Sequence, residues 1–391
     1  MTEKHDPAPK PDTVLTHAGR DPGANRGYVN TPVYRGSTIV FPTLDALEDP
    51  APRYDYGRTG NPSSAAVEDI VTELESAAGT LLAPSGLSAI SLALMTVLRA
   101  GDELLVSDSA YQPTRRFSDG ILQRFGVTVR YYDPRIGAGI ADLFTDNTKA
   151  IFAESPGSLT FEVQDLPAIA AAAKPRDIAI VIDNSWATPL FYRPLALGAD
   201  IVVHAATKMF VGHSDTMIGT ASATARWMKA LKDTHLRLGL CASPDDCFIT
   251  ARGLRTLGVR MREHSAHSTE IAAWLEKQPG VVRAIHPALP SHPDHAIWRR
   301  DFTGAGSVFS VELEPKPRAA LAAMVDHLAL FGMGWSWGGY ESLALPIHPE
   351  KARSATKWSA AGPMIRLHIG LEAIEDIKAD LAAGLARYRA A

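Results

Sequence analysis

The stretch Ile201-Val202-Val203-His204-Ala205-Ala206-Thr207-Lys208-Met209-Phe210-Val211-Gly212-His213-Ser214-Asp215 decides how this chain is read. A short apolar run ends in small residues and a threonine, and then presents a single lysine. Upstream, a second apolar run, Ile178 to Ile182, ends in Asp183. Both runs suit strands of a sheet covered on both faces, and the polar residues that follow them would then stand at strand carboxyl ends. Ligand sites in open α/β sheets lie at those ends.

The same texture extends outward. Candidate strands are Glu103 to Val106, Val127 to Tyr132, Ala150 to Ala153, Ile178 to Ile182 and Ile201 to Val203, with helical patterns between them. Ala77 to Leu98 carries no charge, which is long enough to span a bilayer. Gly79, Pro84 and Gly86 interrupt it, so it reads as a strand, a turn and a buried helix. From about Ala251 the pattern changes to a long amphipathic helix around Met261 to Lys277, stopped by Pro279-Gly280. Strands follow at Val281 to Ile285, Ser307 to Leu313 and Met364 to Ile369, and a helix closes the chain from Ile374 to Tyr388. In the second strand Val311 and Leu313 alternate with Ser310 and Glu312, which predicts a half-exposed strand. The expected fold is α/β: a large, mostly parallel sheet domain with helices on both faces, plus a smaller C-terminal α+β domain.

Composition excludes several classes. The 391 residues are 46% hydrophobic and 21% charged, with a formal net charge of -4. There is no basic footprint for nucleic acid. Cys241 and Cys247 have neither metal-site spacing nor the look of a disulfide framework. Met1 to Asp12 is polar and proline-rich without an apolar signal core, so a cytoplasmic protein without membrane attachment is expected. His292 and His295 stand among prolines and read as a solvated loop.

An acid and a lysine, each at the carboxyl end of a hydrophobic strand, suit pyridoxal 5'-phosphate, which needs an amine for its aldehyde and a carboxylate for its pyridine nitrogen. Each residue also has a plain reading: Lys208 as a solvated lysine, Asp183 as a turn or capping residue. Pro84-Ser85-Gly86-Leu87-Ser88 opens an apolar helix whose free amides could hold a phosphate. Tyr111 could stack on a flat ring or fill a half-buried core position. In Tyr54-Asp55-Tyr56-Gly57-Arg58-Thr59-Gly60-Asn61-Pro62, Arg58 and Tyr56 could reach a phosphate or form a surface turn. Arg366, inside a strand, has a fork that suits a substrate carboxylate or a structural ion pair.

Taken together and in order, the stretches YDYGRTGNP, PSGLSAI, ESPGS, VIDNSWATP, AATKMFVGHSD, TARGLRTLGVRM, SWGGYESL and MIRLHIGLE resemble the fold-type I pyridoxal-phosphate enzymes of cysteine and methionine metabolism. The resemblance runs from about Thr16 to the C-terminus. It leans to the β-lyase branch. Ala205 stands where the γ-acting branch usually has a serine, Glu154-Ser155-Pro156 continues as Gly157-Ser158, and Trp335-Ser336-Trp337-Gly338-Gly339-Tyr340 replaces an acidic-Ser-Leu-Gly-Gly pattern.

The resemblance implies β-elimination of cystathionine in methionine biosynthesis. It assigns catalysis to Lys208 with Tyr111 and Tyr56. It assigns cofactor binding to Lys208, Asp183, Tyr111, Gly86, Leu87 and Thr207, with Tyr56 and Arg58 reaching in from a neighbouring subunit. Arg366, Ser336 and Trp337 would hold the substrate α-carboxylate. Residues 1–55 would form an arm toward that neighbour, 56–250 the cofactor-binding domain and 251–391 the C-terminal domain, in a homotetramer. Thr59 and Arg116 depart from the branch's pattern near the distal end of the substrate. A broader action on cysteine S-conjugates or cystine therefore stays open. So do γ-synthase or γ-lyase action, a racemase side activity, and a cofactor-binding protein that regulates a partner.

Overall fold

The computed structural model describes residues 9–49 and 52–391. Its larger sheet has seven strands: β1 (Gly79–Ala83), β2 (Glu103–Ser107), β3 (Thr128–Tyr132), β4 (Thr148–Glu154), β5 (Ala179–Asp183), β6 (Ile201–His204) and β7 (Gly219–Ala223). They lie in the order β1-β7-β6-β5-β4-β2-β3. The pairings from β3 across to β6 are parallel, while β7 is antiparallel to both its neighbours.

Alternation within single strands builds two cores. Ile151, Ile180, Ile182 and Val202 point into one apolar cluster. Phe152, Val181, Ile201 and Val203 point into the cluster on the opposite face. A strand with both faces covered needs apolar residues at every position, which is why these runs show no polar alternation. The uncharged segment from Ala77 resolves into β1 and the helix Gly86–Val97, joined by a short turn. Among the described residues, no helix is long and apolar enough to cross a membrane.

The second sheet is antiparallel, in the order β10-β11-β9-β8: β8 (Val281–Ile285), β9 (Val308–Leu313), β10 (Leu343–Ile347) and β11 (Met364–His368). The amphipathic helix begins earlier than its apolar pattern suggested, at Leu257, and ends at Leu275. Before it, the helix Pro244–Arg255 runs unbroken through residue 250. The closing helix spans Ile374–Ala390.

Two expectations are corrected. β9 is buried along its whole length, on both faces. Ser310 donates to the Leu159 carbonyl at 2.7 Å, and Glu312 pairs with Arg283 at 2.7 Å. The apparent polar face is therefore a satisfied interior, because β9 lies between two other strands and against the larger domain. His292 and His295 are no solvated loop. His292 is buried, its Nδ1 accepts from the Asp294 amide at 3.1 Å, and His295 opens the helix His295–Asp301. Asp294 is buried as well and anchors this segment to Arg135 and to the Val163 amide.

Candidate active site

The carboxyl ends of β4, β5 and β6 bring Glu154, Asp183 and His204 to one edge of the sheet. Glu154 and Asp183 are direct register partners. The Ser185 amide donates to Asp183 at 2.8 Å, and the Ser185 hydroxyl accepts from the Ala205 amide at 2.7 Å, which ties the turn after β5 to the turn before Lys208. Both oxygens of Glu154 are used: the Tyr111 amide donates to one at 2.6 Å and the Ser158 hydroxyl to the other at 2.6 Å. Burial and the neighbouring Asp183 charge push the Glu154 carboxyl up to about 8. Asp183 is also raised, by burial, against the pull of Ser185, His204 and Lys208.

Lys208 leaves the strand end into a segment held from below. Buried Arg260 donates to the carbonyls of Met209 at 2.7 Å, Phe210 at 3.2 Å and Gly253 at 2.8 Å. The Lys208 amine donates to Ser336 Oγ at 2.7 Å and lies 5.0 Å from the centroid of the Trp337 ring. Burial and the Arg366 charge lower its pKa to about 8, against the opposing pull of Asp183 and Glu154. Lys208 therefore stands among charges that are far from it in sequence. Arg366, on β11, donates to the Ser336 carbonyl at 2.8 Å and pairs with no carboxylate among the described residues. Its guanidinium is left able to take one from outside.

The start of the helix Gly86–Val97 faces the same edge. Ser85 caps it by accepting from the Ser88 amide, and no acidic residue occupies its first turn. The Gly86 and Leu87 amides precede the first intrahelical bond, as the leading amides of any helix do. A Cβ on Gly86 would stand 2.6 Å from Ala205 Cβ, so glycine lets the helix start approach the Lys208 turn. Thr207 Oγ1 donates to the Ile218 carbonyl at 3.1 Å and accepts from the Ile218 amide at 2.9 Å, bracing that turn.

Tyr111 caps the helix Gln112–Phe117, partly exposed, with its phenol raised by burial, by Glu154 and by Asp183. The structure thus gathers Lys208, Asp183, Tyr111, Ser336, Trp337 and Arg366, with Gly86, Leu87 and Thr207 around the adjoining turn. It does not gather Tyr56 and Arg58. Tyr56 bridges to Thr38, and Arg58 donates to the Leu236 carbonyl at 3.3 Å. Sequence reading missed Glu154, although it ends β4 as Asp183 ends β5. It also missed Asp108, Arg260 and His368, whose roles come from partners remote in sequence.

Comparison with known proteins gives the family. The family model described as Cys/Met metabolism PLP-dependent enzyme matches residues 12–386. A cystathionine beta-lyase of Salmonella typhimurium is 42% identical over 387 residues, covering 96% of this chain and 98% of that protein. An L-alanine/L-glutamate racemase of Wolbachia pipientis is 39% identical over 394 residues, covering 97% of each. Among solved structures, a cystathionine gamma synthase of Xanthomonas oryzae superposes with a TM-score of 0.91 at 35% identity, covering 98% of this chain and all of that one. The lysine and acid at neighbouring strand ends, on this fold and with these relatives, make the chain a member of the Cys/Met metabolism PLP-dependent enzymes, whose cofactor is pyridoxal 5'-phosphate.

Proposed function

We propose that the chain is a cystathionine β-lyase: with one water, L-cystathionine gives homocysteine, pyruvate and ammonia. The observation that carries the reading is the Lys208 amine, held at 2.7 Å by Ser336 beside the Trp337 ring and facing Arg366, Asp183 and Glu154. An aromatic wall at Trp335 to Tyr340, where a γ-acting site has a carboxylate, favours β-cleavage.

The residues present fit pyridoxal 5'-phosphate. Lys208 would hold its aldehyde carbon and Asp183 its pyridine nitrogen, with Tyr111 against the ring. The Gly86 and Leu87 amides, with Thr207, would hold the phosphate. Bound there, the cofactor supplies an electron-withdrawing ring that takes up the charge left when the substrate α-proton is removed. Lys208 Nζ takes that proton. An amine with a pKa of about 8 is partly neutral near neutral pH, as a base must be. Arg366 takes the α-carboxylate in its fork, which turns the α-proton toward Lys208.

Tyr56 and Arg58 would complete the phosphate site of a neighbouring subunit, with the 1–55 arm between them; residues 1–8, 50 and 51 of that arm lie outside the described residues. The half-exposed Tyr56 ring supports this. A homotetramer in the cytoplasm is the expected assembly and place. Closed two-fold symmetry lets each subunit both give and receive the arm.

Identification of the products from L-cystathionine tests the reading. Homocysteine with pyruvate supports it, whereas cysteine with 2-oxobutyrate means γ-cleavage. Pyruvate from cystine alone keeps the chemistry and changes the substrate. The 39% identity to a racemase supports a second activity, in which the α-proton returns without carbon–sulfur cleavage. Chiral analysis of alanine and glutamate after incubation tests that.

A further inference from the structure

Two side chains on one face of one strand grip the loop that touches Lys208. Arg366 and His368 are two residues apart on β11 and so point the same way. Arg366 holds the loop at the Ser336 carbonyl, at 2.8 Å. His368 holds it further on: its Nε2 lies 3.2 Å from the Gly338 amide and 3.1 Å from the Gly339 carbonyl. His368 is fully buried.

The loop needs holding. Ser336 sits at φ 78°, a region that non-glycine residues seldom occupy without support from their surroundings. Gly338 sits at φ 91°, and a Cβ there would stand 3.0 Å from the carbonyl carbon and from Cβ of Lys208. The loop backbone therefore rests directly on the lysine that its serine contacts.

We infer that His368 is a positioning residue: its buried ring fixes Gly338 and Gly339 so that Ser336 and Trp337 are presented to the Lys208 amine. The inference rests on Lys208 being the reactive amine. The ring acts as a neutral hydrogen-bonding group. Burial, with His264, Arg366 and Lys208 facing it, lowers its pKa to about 3. One tautomer accepts from the Gly338 amide and the other donates to the Gly339 carbonyl, so either keeps the tie. His264, 5.6 Å away ring to ring, is itself bound to the Ile369 carbonyl and braces the far side.

The test compares His368→Leu, which keeps bulk and removes the tie, with His368→Asn, which restores a polar group. In the cofactor-loaded enzyme, His368→Leu is expected to lose on the order of tenfold or more in kcat, as small misplacements at a reacting centre do. KM should change less, since Arg366 remains. A second readout uses the cofactor-free chain: the pH midpoint for chemical labelling of Lys208, followed by peptide mass. It is expected near 8 in the parent and higher in His368→Leu, because a loosened loop admits water. His368→Asn should recover part of both.

Unchanged kcat in His368→Leu, or a loss of kcat with an unmoved Lys208 midpoint and no recovery in His368→Asn, would overturn the inference. Should His368→Leu not fold, amide hydrogen exchange in the unaltered protein decides. A protected Gly338 or Gly339 segment supports the tie, and exchange as fast as at exposed Trp335 refutes it. A Lys208 that never labels would instead count against the function proposed above.

Discussion

Glu154 and Asp183 stand opposite each other as register partners at the ends of adjacent parallel strands, and both are buried. Two carboxylates so placed cannot both be charged cheaply. Burial and the Asp183 charge push Glu154 up to about 8, and burial raises Asp183 too, so the pair holds a proton near neutral pH in the cofactor-free protein.

This pairing predicts a pH-dependent stability. The unfolded Glu154 loses its proton near 4.5, whereas the folded one holds it to about 8. Between these values the folded state binds more protons, so rising pH removes stability, and the full cost is present above 8. Glu154→Gln imitates the protonated acid. Its melting temperature, compared with the parent in cofactor-free protein, should be similar at pH 5 and progressively higher from pH 6 to 9. A constant difference across that range would refute the assignment.

Lys208→Ala removes the one amine that, among the described residues, donates to Ser336 Oγ. Turnover of L-cystathionine should fall by at least about 10²–10⁴-fold, the usual worth of a general base. Circular dichroism should be unchanged, since the backbone of this turn is held by Ala205, Ile218 and Arg260 rather than by the amine. Pyruvate release by a folded, cofactor-loaded variant at near-parent rates would remove Lys208 from the mechanism.

Arg366→Ala takes away a fork whose described partner is a backbone carbonyl. KM for L-cystathionine should rise by about ten- to a hundredfold, equivalent to roughly 1.4–2.8 kcal/mol. Arg366→Lys should recover only part, because a point charge cannot make the paired bonds. Initial-rate kinetics on both variants check this, and an unchanged KM would mean that the carboxylate is held elsewhere.

Asp108, just after β2, is tied to residues 354–356. Its carboxylate accepts from the amides of Ser354, Ala355 and Thr356, from the hydroxyls of Ser354 and Thr356, and from Arg115 at 3.0 Å. These bonds outweigh burial and lower its pKa to about 2. Asp108→Ala should cost about 3–5 kcal/mol, since Arg115 is left buried without its partner. A depressed carboxylate stabilises above its unfolded pKa of 3.8 and stops doing so as pH falls through about 2. The urea-midpoint gap between parent and Asp108→Asn should therefore be constant at pH 5 to 7 and close toward pH 2.

The near-continuous apolar runs of β4, β5 and β6 were legible as strands, because a strand covered on both faces carries its burial in its own composition. Asp183 directly follows such a run, and Lys208 follows one after His204 to Thr207, which is what singles both out in the sequence. β9 was misread, because its Ser310 and Glu312 have partners, Leu159 and Arg283, that no local pattern reveals. His292 was misread in the same way.

By itself, the sequence determined the α/β architecture and the family, since these are written in local periodicity and in short ordered motifs. Only the tertiary structure decided that Glu154 shares Asp183's burial, that Ser336 reaches the Lys208 amine, and that His368 and Asp108 anchor the loops around the site. Each of these joins residues separated by tens to hundreds of positions. Hydrogen bonds and desolvation act through space, so such contacts exist only once the strands have been set side by side.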